Sequence, residues 1–461
     1  MKSCAAPLAG VSALGAALVL GVGLSACAPR SGAAIAAGDG AVLPGALALG
    51  PRSANAAGPL NHPIEHVVII VQENRSFDNL FQGFPGANTA PTGKDSKGKT
   101  IRLKPIGLEV PYGIDHNADM MFAACDGNPP GENCKMDGFD NETPYGQLIP
   151  QNPEYGYVPH RESKLYFDMA QQYVVADDMF TSHIDASFVS HQYIIAGQAH
   201  GAVNLPSSLW GCAGGPSDTV PTLNPDRTYG PNELPCFTDP TLGDELDAKG
   251  LPWRYYAMGS GDIAYIWSAY QAISGIYNGP DWKKDVISPS SQVLTDIGDG
   301  SLAAVTWVTP SFSDSDHSSS QSKTGPDWVA SVVNAVGESK FWNDTVVFVM
   351  WDEWGGWYDH VPPPYLDYDG LGFRVPLLVI SPYAKRGYVS HVQYEHGSIL
   401  RFVEDTFGLA RLAASDTRAN SPGPDCLDFS QPPRTFVPFK TNLKPSDFIH
   451  AAPDPRAIDE E

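Results

Sequence analysis

Five continuous apolar runs constrain this chain more than any average taken over it: Val67–Val71, Trp253–Ala257, Ala303–Val308, Thr345–Trp351 and Val375–Ile380. A strand with one wet face alternates apolar and polar residues. An unbroken run instead predicts a strand covered on both faces, as in a parallel sheet between helices. Helix-period patterns separate the runs, at Ser163–Gln172, Val189–Gln198, Asp327–Val336 and Glu395–Phe407. The simplest architecture is α/β: one three-layer α/β/α sandwich over about residues 61–445, with a mostly parallel central sheet. A length of 461 residues accommodates such a unit, and 42% hydrophobic against 18% charged residues excludes a disordered chain. No internal repeat is visible. The segments 85–160 and 205–250 are long and rich in Pro and Gly, which marks them as insertions walling a site. Beyond Pro422 the chain is turn-rich, and residues 446–461 read as a polar tail.

The first 60 residues have a different logic. Lys2, the apolar stretch Ala13–Leu24 and Leu24-Ser25-Ala26-Cys27 read as an export signal over residues 1–27. Leu-Ser-Ala-Cys resembles a bacterial lipobox, so Cys27 is expected to carry lipid and to offer a membrane anchor; the alternative is ordinary signal cleavage in the Ala-rich stretch. Residues 28–60, rich in Ala and Gly, read as a flexible linker. An exported protein meets an oxidising compartment, and the cysteines fit one. Cys125 and Cys134 bracket a turn-rich loop, and Cys212 and Cys236 bracket a Gly/Pro-rich segment. Each pair suits a local disulfide, with Cys426 left over. Zinc is the rival, but the C-x2-C spacing is absent. The charge balance, 29 basic against 52 acidic residues for a net −23, excludes nucleic acid as the main partner. Oligomeric state is not readable.

In open α/β sheets, ligands gather at the carboxyl ends of the strands. Val67–Val71 empties into Gln72-Glu73-Asn74-Arg75-Ser76. Thr345–Trp351 runs into Asp352-Glu353, and Ala303–Val308 leads to Asp316-His317. Glu73, Asn74, Asp352 and Glu353 therefore form a candidate cradle of oxygen ligands. Clustered carboxylates repel unless a cation lies between them. An all-oxygen set fits calcium, magnesium or manganese better than zinc, with iron also open. Each residue alone reads more simply as a surface ion pair or turn; together at strand ends they favour a metal. Ser187 precedes an apolar helical pattern. It reads either as a helix cap or as a nucleophile facing the N–H groups of a helix start, with a bound metal lowering its hydroxyl pKa. Spacing alone does not choose it over Ser182 or Ser190. His116 and His317 could contact phosphoryl oxygens or act as general acid, though a lone histidine is more often an ordinary one.

Two longer motifs speak together. Glu73-Asn74-Arg75-Ser76-Phe77-Asp78 and Asp352-Glu353-x-Gly-Gly-x-Tyr-Asp-His360-Val-Pro-Pro-Pro resemble the signatures of the bacterial phosphoesterase family of non-haemolytic phospholipase C and a related acid phosphatase, within the alkaline phosphatase superfamily. Arg374-Val-Pro-Leu-Leu-Val-Ile-Ser-Pro and His396-x-Ser-Ile-Leu-Arg-Phe extend the resemblance over about residues 62–410. It implies an α/β/α sandwich. It further implies Glu73, Asn74, Asp352 and Glu353 as metal ligands, joined by Ser187 as ligand and nucleophile, with His116 and His317 contacting phosphate. There are departures. Phospholipases C of this group commonly carry Thr within Gly-Pro-Thr-Asp-Pro-Asn-Arg, where this chain has Asp-Ala-Ser187-Phe-Val-Ser-His191. The acid phosphatase has further histidines near a region that here reads Ile276-Tyr-Asn278-Gly-Pro-Asp.

The expected function is metal-dependent hydrolysis of phosphate esters through a phosphoserine, with the serine leaning toward monoesters and phospholipase C-type cleavage of lipid head groups as the alternative. Sulfatase chemistry would need Cys/Ser-x-Pro-x-Arg. Cys27-Ala-Pro-Arg-Ser places its Arg one position early, inside the export segment. A non-enzymatic, lipid-anchored binding protein that keeps its metal is the remaining reading.

Overall fold

The computed structural model describes residues 62–206 and 209–456; the expected export segment with Cys27 and the linker 28–60 lie outside the described residues. An eight-stranded sheet forms the centre. Its strands in chain order are β1 (His66–Gln72), β2 (Val174–Ala176), β3 (Trp253–Tyr256), β4 (Val286–Ile287), β5 (Val305–Val308), β6 (Thr345–Trp351), β7 (Leu377–Ile380) and β8 (Tyr388–Ser390). Across the sheet they lie in the order β4-β3-β5-β1-β6-β7-β2-β8. Val67 to Val71 are wholly excluded from solvent in the middle of this sheet. At about 1.5–3 kcal/mol per buried branched side chain, that run alone explains why β1 is central.

Every neighbouring pair is parallel except the two made by β7. The pattern of Val375–Ile380 predicts another parallel strand, and here the structure differs. No crossover helix stands between β6 and β7, so the chain turns back on the same edge, and a return of that kind makes an antiparallel neighbour. One consequence matters for the site. The amino end of β7, with Arg374 just before it, lies on the same edge as the carboxyl ends of β1, β5 and β6.

The main helices are α1 (Phe77–Phe81), α2 (Ala118–Cys125), α3 (Lys164–Gln172), α4 (Ser187–Ala196), α5 (Leu242–Lys249), α6 (Gln292–Gly298), α7 (Gly325–Gly337), α8 (His396–Phe407), α9 (Ala414–Arg418) and α10 (Pro445–Ile449). Helices α3, α6, α7 and α10 pack in a chain on one side, and α4, α5, α8 and α9 on the other. Alternation along β6 divides them: Trp351 meets Tyr166 of α3 at 5.0 Å, while Phe348 meets Phe402 of α8 at 5.1 Å. The three-layer α/β/α sandwich is therefore present.

The excursion 85–160 holds short hairpins and α2, whose last residue is tied to the following loop by the Cys125–Cys134 disulfide; Cys212–Cys236 ties a loop within the second excursion, and Cys426 is free and buried. The stretch expected as a polar tail from 446 begins inside a packed helix. Phe448 stacks edge-on against Trp328 at 5.3 Å, and the Asp454 N–H donates to Asp262 Oδ2 at 2.7 Å.

Candidate active site

The register of β1 against β6 pairs Gln72 with Trp351, so the next residues of both strands, Glu73 and Asp352, emerge side by side. Asn74 follows at φ 61°, a left-handed conformation that Asn tolerates better than most residues. Its N–H donates to Asp352 Oδ1 at 3.0 Å. Gly355 fits this close approach: a Cβ there would stand 2.3 Å from the Asn74 carbonyl oxygen. The two long motifs lock into each other below the site. Ser76 caps α1 and donates its hydroxyl to the Tyr358 carbonyl at 2.8 Å. The Asp78 N–H donates to Asp359 Oδ2, and Asp78 Oδ2 accepts from the His360 N–H at 2.9 Å. Arg374, from the amino end of β7, grips both oxygens of Asp359 at 2.9 and 3.1 Å.

Ser187 is the first residue of α4, and Ala186 rather than a serine occupies the cap position. Helix geometry leaves first-turn N–H groups without intrahelical acceptors, which favours an anion beside Ser187. Residues 187, 190 and 191 share one face of that helix. Ser187 Oγ lies 3.5 Å from Glu73 Oε2, Ser190 donates to the Asp352 carbonyl at 2.5 Å, and His191 Nε2 stands 3.0 Å from Glu73 Oε1 and 3.8 Å from Asp352 Oδ2. Glu73, Asp352 and His191 are all buried, with ligand atoms within 4.8 Å of one another. Burial, and next the charge of Glu73, push the Asp352 carboxyl well above the ordinary range. Two buried carboxylates against one imidazole are a set of groups that could hold a metal ion.

The other expected ligands form an adjacent group. Glu353 Oε2 accepts from the Gly355 N–H at 2.6 Å, and its Oε1 is 3.1 Å from His116 Nε2. Asn74 Nδ2 lies 2.8 Å from the same nitrogen. His116 Nδ1 is held by the Ile114 carbonyl at 2.6 Å, which fixes the ring and leaves Nε2 facing the site. His317 stands with its ring 6.2 Å from that of His116, packed against Phe312 at 5.1 Å. The structure thus brings every expected residue to one edge, in two clusters: Glu73, Asp352 and Ser187, and beside them Asn74, Glu353, His116 and His317.

Sequence reasoning missed His191. Its signal was available, since the interval from Ser187 is one helical turn. Two further histidines surround this face. Burial pushes His396 down to about 3, and burial followed by the neighbouring imidazoles holds His183 well below the ordinary range. Their rings lie 5.9 Å apart.

The chain belongs to the Phosphoesterase family, whose model matches residues 64–410. It is a hydrolase acting on ester bonds. More particular similarities are to phospholipase C B of Mycobacterium tuberculosis, 26% identical over 82% of this chain and 80% of that one, and to non-hemolytic phospholipase C of Pseudomonas aeruginosa, 27% identical over 84% of this chain and 60% of that one. Non-specific phospholipase C1 of Arabidopsis thaliana is 24% identical over 75% of this chain and 67% of its own. Among solved structures, an alkaline phosphatase superfamily protein from Vibrio parahaemolyticus aligns at a TM-score of 0.38 and 10% identity, over 78% of this chain and 71% of that one.

Proposed function

We propose that this chain cleaves phosphodiesters through a phosphoserine on Ser187, with Glu73, Asp352 and His191 holding a divalent cation. The observation that carries the reading is the buried Glu73–Asp352–His191 cluster with Ser187 Oγ 3.5 Å from one of its carboxylates. When bound, the cation would neutralise the carboxylates and lower the pKa of the serine hydroxyl. Ser187 Oγ attacks phosphorus and the bond to the leaving alcohol breaks; water then cleaves the phosphoserine. His116, pinned at Nδ1, would exchange the Glu353 contact at Nε2 for a phosphoryl oxygen, and His317 approaches from the neighbouring loop. An imidazole among the ligands shifts the metal away from calcium and magnesium toward manganese, iron or zinc. Asn74 and Glu353 act here by orienting His116, alongside the ligand role that the resemblance implies.

A diester is favoured over a monoester on charge. A dianionic monoester needs more cationic donors than a monoanionic diester, and the nearest guanidinium in sequence, Arg75, is directed at the Asp316 carbonyl and at Asn79. The relatives named phospholipase C point the same way. Monoester hydrolysis, which Ser187 itself favours, is the second reading. The two disulfides suit an exported enzyme, and the membrane anchor at Cys27 stays part of this proposal. The deciding assay compares p-nitrophenyl phosphate with p-nitrophenylphosphorylcholine, with metals restored after chelation. The diester should be preferred, manganese, iron or zinc should restore activity, and Ser187→Ala should abolish hydrolysis of both. A fully active Ser187→Ala protein sinks the mechanism, and a strong monoester preference reverses the substrate assignment.

A further inference from the structure

Gln72 and Arg75 stand on either side of Glu73–Asn74, and both grip the same distant loop. Gln72 Nε2 donates to the Asp314 carbonyl at 3.0 Å, and Gln72 Oε1 accepts from the Asp316 N–H at 3.2 Å. Arg75 Nε donates to the Asp316 carbonyl at 2.7 Å. The Asp316 side chain is held in turn, its Oδ2 accepting from the Tyr166 hydroxyl at 2.8 Å and from Trp351 Nε1 at 3.1 Å. Gln72, Arg75 and Asp316 are fully or almost fully buried. The next residue is His317.

We infer that Gln72 and Arg75 are positioning residues that set where His317 stands against His116, a role that rests on the phosphate-binding reading of these histidines. The sheet cannot do this alone. Strands β1 and β5 pair only as far as Ile70 with Val308, and His317 lies well beyond that last rung. Burial alone would be met by apolar side chains of similar volume, which need no partners. Three directional bonds to the backbone of one loop instead fix its distance from the Glu73–Asn74 turn. The same short segment thus carries a proposed ligand on Glu73, the contact to His116 on Asn74 and, on the residues flanking them, the grip that brings in the second histidine. Arg75 is braced for this by Asn79 Oδ1 at 3.2 Å and by the face of Trp357 at 4.9 Å.

The test is a double-mutant cycle on the full chain with its metal. Gln72→Met keeps volume and removes both bonds to the loop, along with a longer one to the Gly325 carbonyl at 3.5 Å; Arg75→Lys keeps the charge and removes the bond to the Asp316 carbonyl. Each is made alone and with His317→Ala. Hydrolysis of p-nitrophenylphosphorylcholine, inhibition by inorganic phosphate, metal content and near-UV circular dichroism are measured. Each single variant should lose about tenfold to a hundredfold in kcat/KM and weaken phosphate inhibition, with metal content and spectrum unchanged. In the His317→Ala background neither should cause a further loss greater than about twofold, because the residue acted upon is gone. An undiminished second loss in that background, or loss of metal in the single variants, overturns the inference. Wild-type activity in both single variants overturns it too, while a dead Ser187→Ala leaves the underlying mechanism standing. An active Ser187→Ala removes that mechanism instead.

Discussion

The interior of β1 and its carboxyl end are equally buried and chemically opposite. Val67 to Val71 and Gln72 to Ser76 are all fully excluded from solvent, yet the first five are aliphatic and the next five are polar or charged. The aliphatic half gains its free energy by leaving water and is indifferent to direction. The polar half costs free energy to bury, and each group must find a specific partner. Gln72 and Arg75 hold the loop of Asp316, Ser76 holds Tyr358, and Glu73 meets His191. Glu73 and Asp352 stand together at the end of the strand, two buried carboxylates in a group that could hold a metal ion.

Breaking the polar half should have the largest effect, and it should be on turnover. Glu73→Gln is expected to lower kcat/KM by about 10³-fold or more, equivalent to about 4 kcal/mol of transition-state stabilisation, and to empty the metal site. After chelation the ranking inverts. The metal-free variant should melt above the metal-free wild type, because one of two repelling buried carboxylates has become neutral. Calorimetry of both proteins with and without chelator checks this. A variant that keeps its metal and its rate breaks the comparison.

Breaking the aliphatic half should move stability and leave the chemistry alone. Ile69→Ala, in the middle of β1, should cost about 2–5 kcal/mol in denaturant unfolding, with kcat of the folded protein within about twofold of wild type. If Ile69→Ala lost turnover as Glu73→Gln does, the two halves would not be separable.

The same contrast governs what could be read from sequence. Strands β1 and β6 were legible because a short unbroken aliphatic run bounded by polar residues is stable only where both its faces are covered, and their polar ends followed from where ligands gather in such sheets. Direction was not legible: the run at β7 looks alike read either way, and only the lack of a crossover helix between Asp352 and Leu377 turns it round. His191, one helical turn from Ser187, was easy to pass over for a related reason. It sits inside an apolar helical pattern and becomes significant only when the helix face bearing Ser187 is laid on the end of β1. Phe448 likewise reveals nothing until Trp328, far off in sequence, is beneath it. The disulfides were readable because both partners are local.

A buried carboxyl away from the cluster sharpens the comparison last, since it carries the desolvation cost without the chemistry. Glu154 lies in the 85–160 excursion, where its carbonyl accepts from the Tyr358 N–H at 3.0 Å. Burial above all, with a smaller push from Asp140, raises its carboxyl from 4.5 to about 7. The sign follows from which state ionises first. Below pH 4.5 the group is protonated in both states and nothing is lost. Between 4.5 and about 7 the unfolded chain gives up its proton more readily than the folded one, so stability falls as pH rises, by about 1.4 kcal/mol per unit at most. Above that window both states are ionised and the loss levels off at roughly 3 kcal/mol. Glu154→Gln should therefore match the wild type at pH 4 and melt roughly 2–4 °C above it at pH 8, with unchanged kcat. Equal melting at pH 8 would mean that the folded protein hydrates this carboxylate, and that its burial costs less here than at the end of β1.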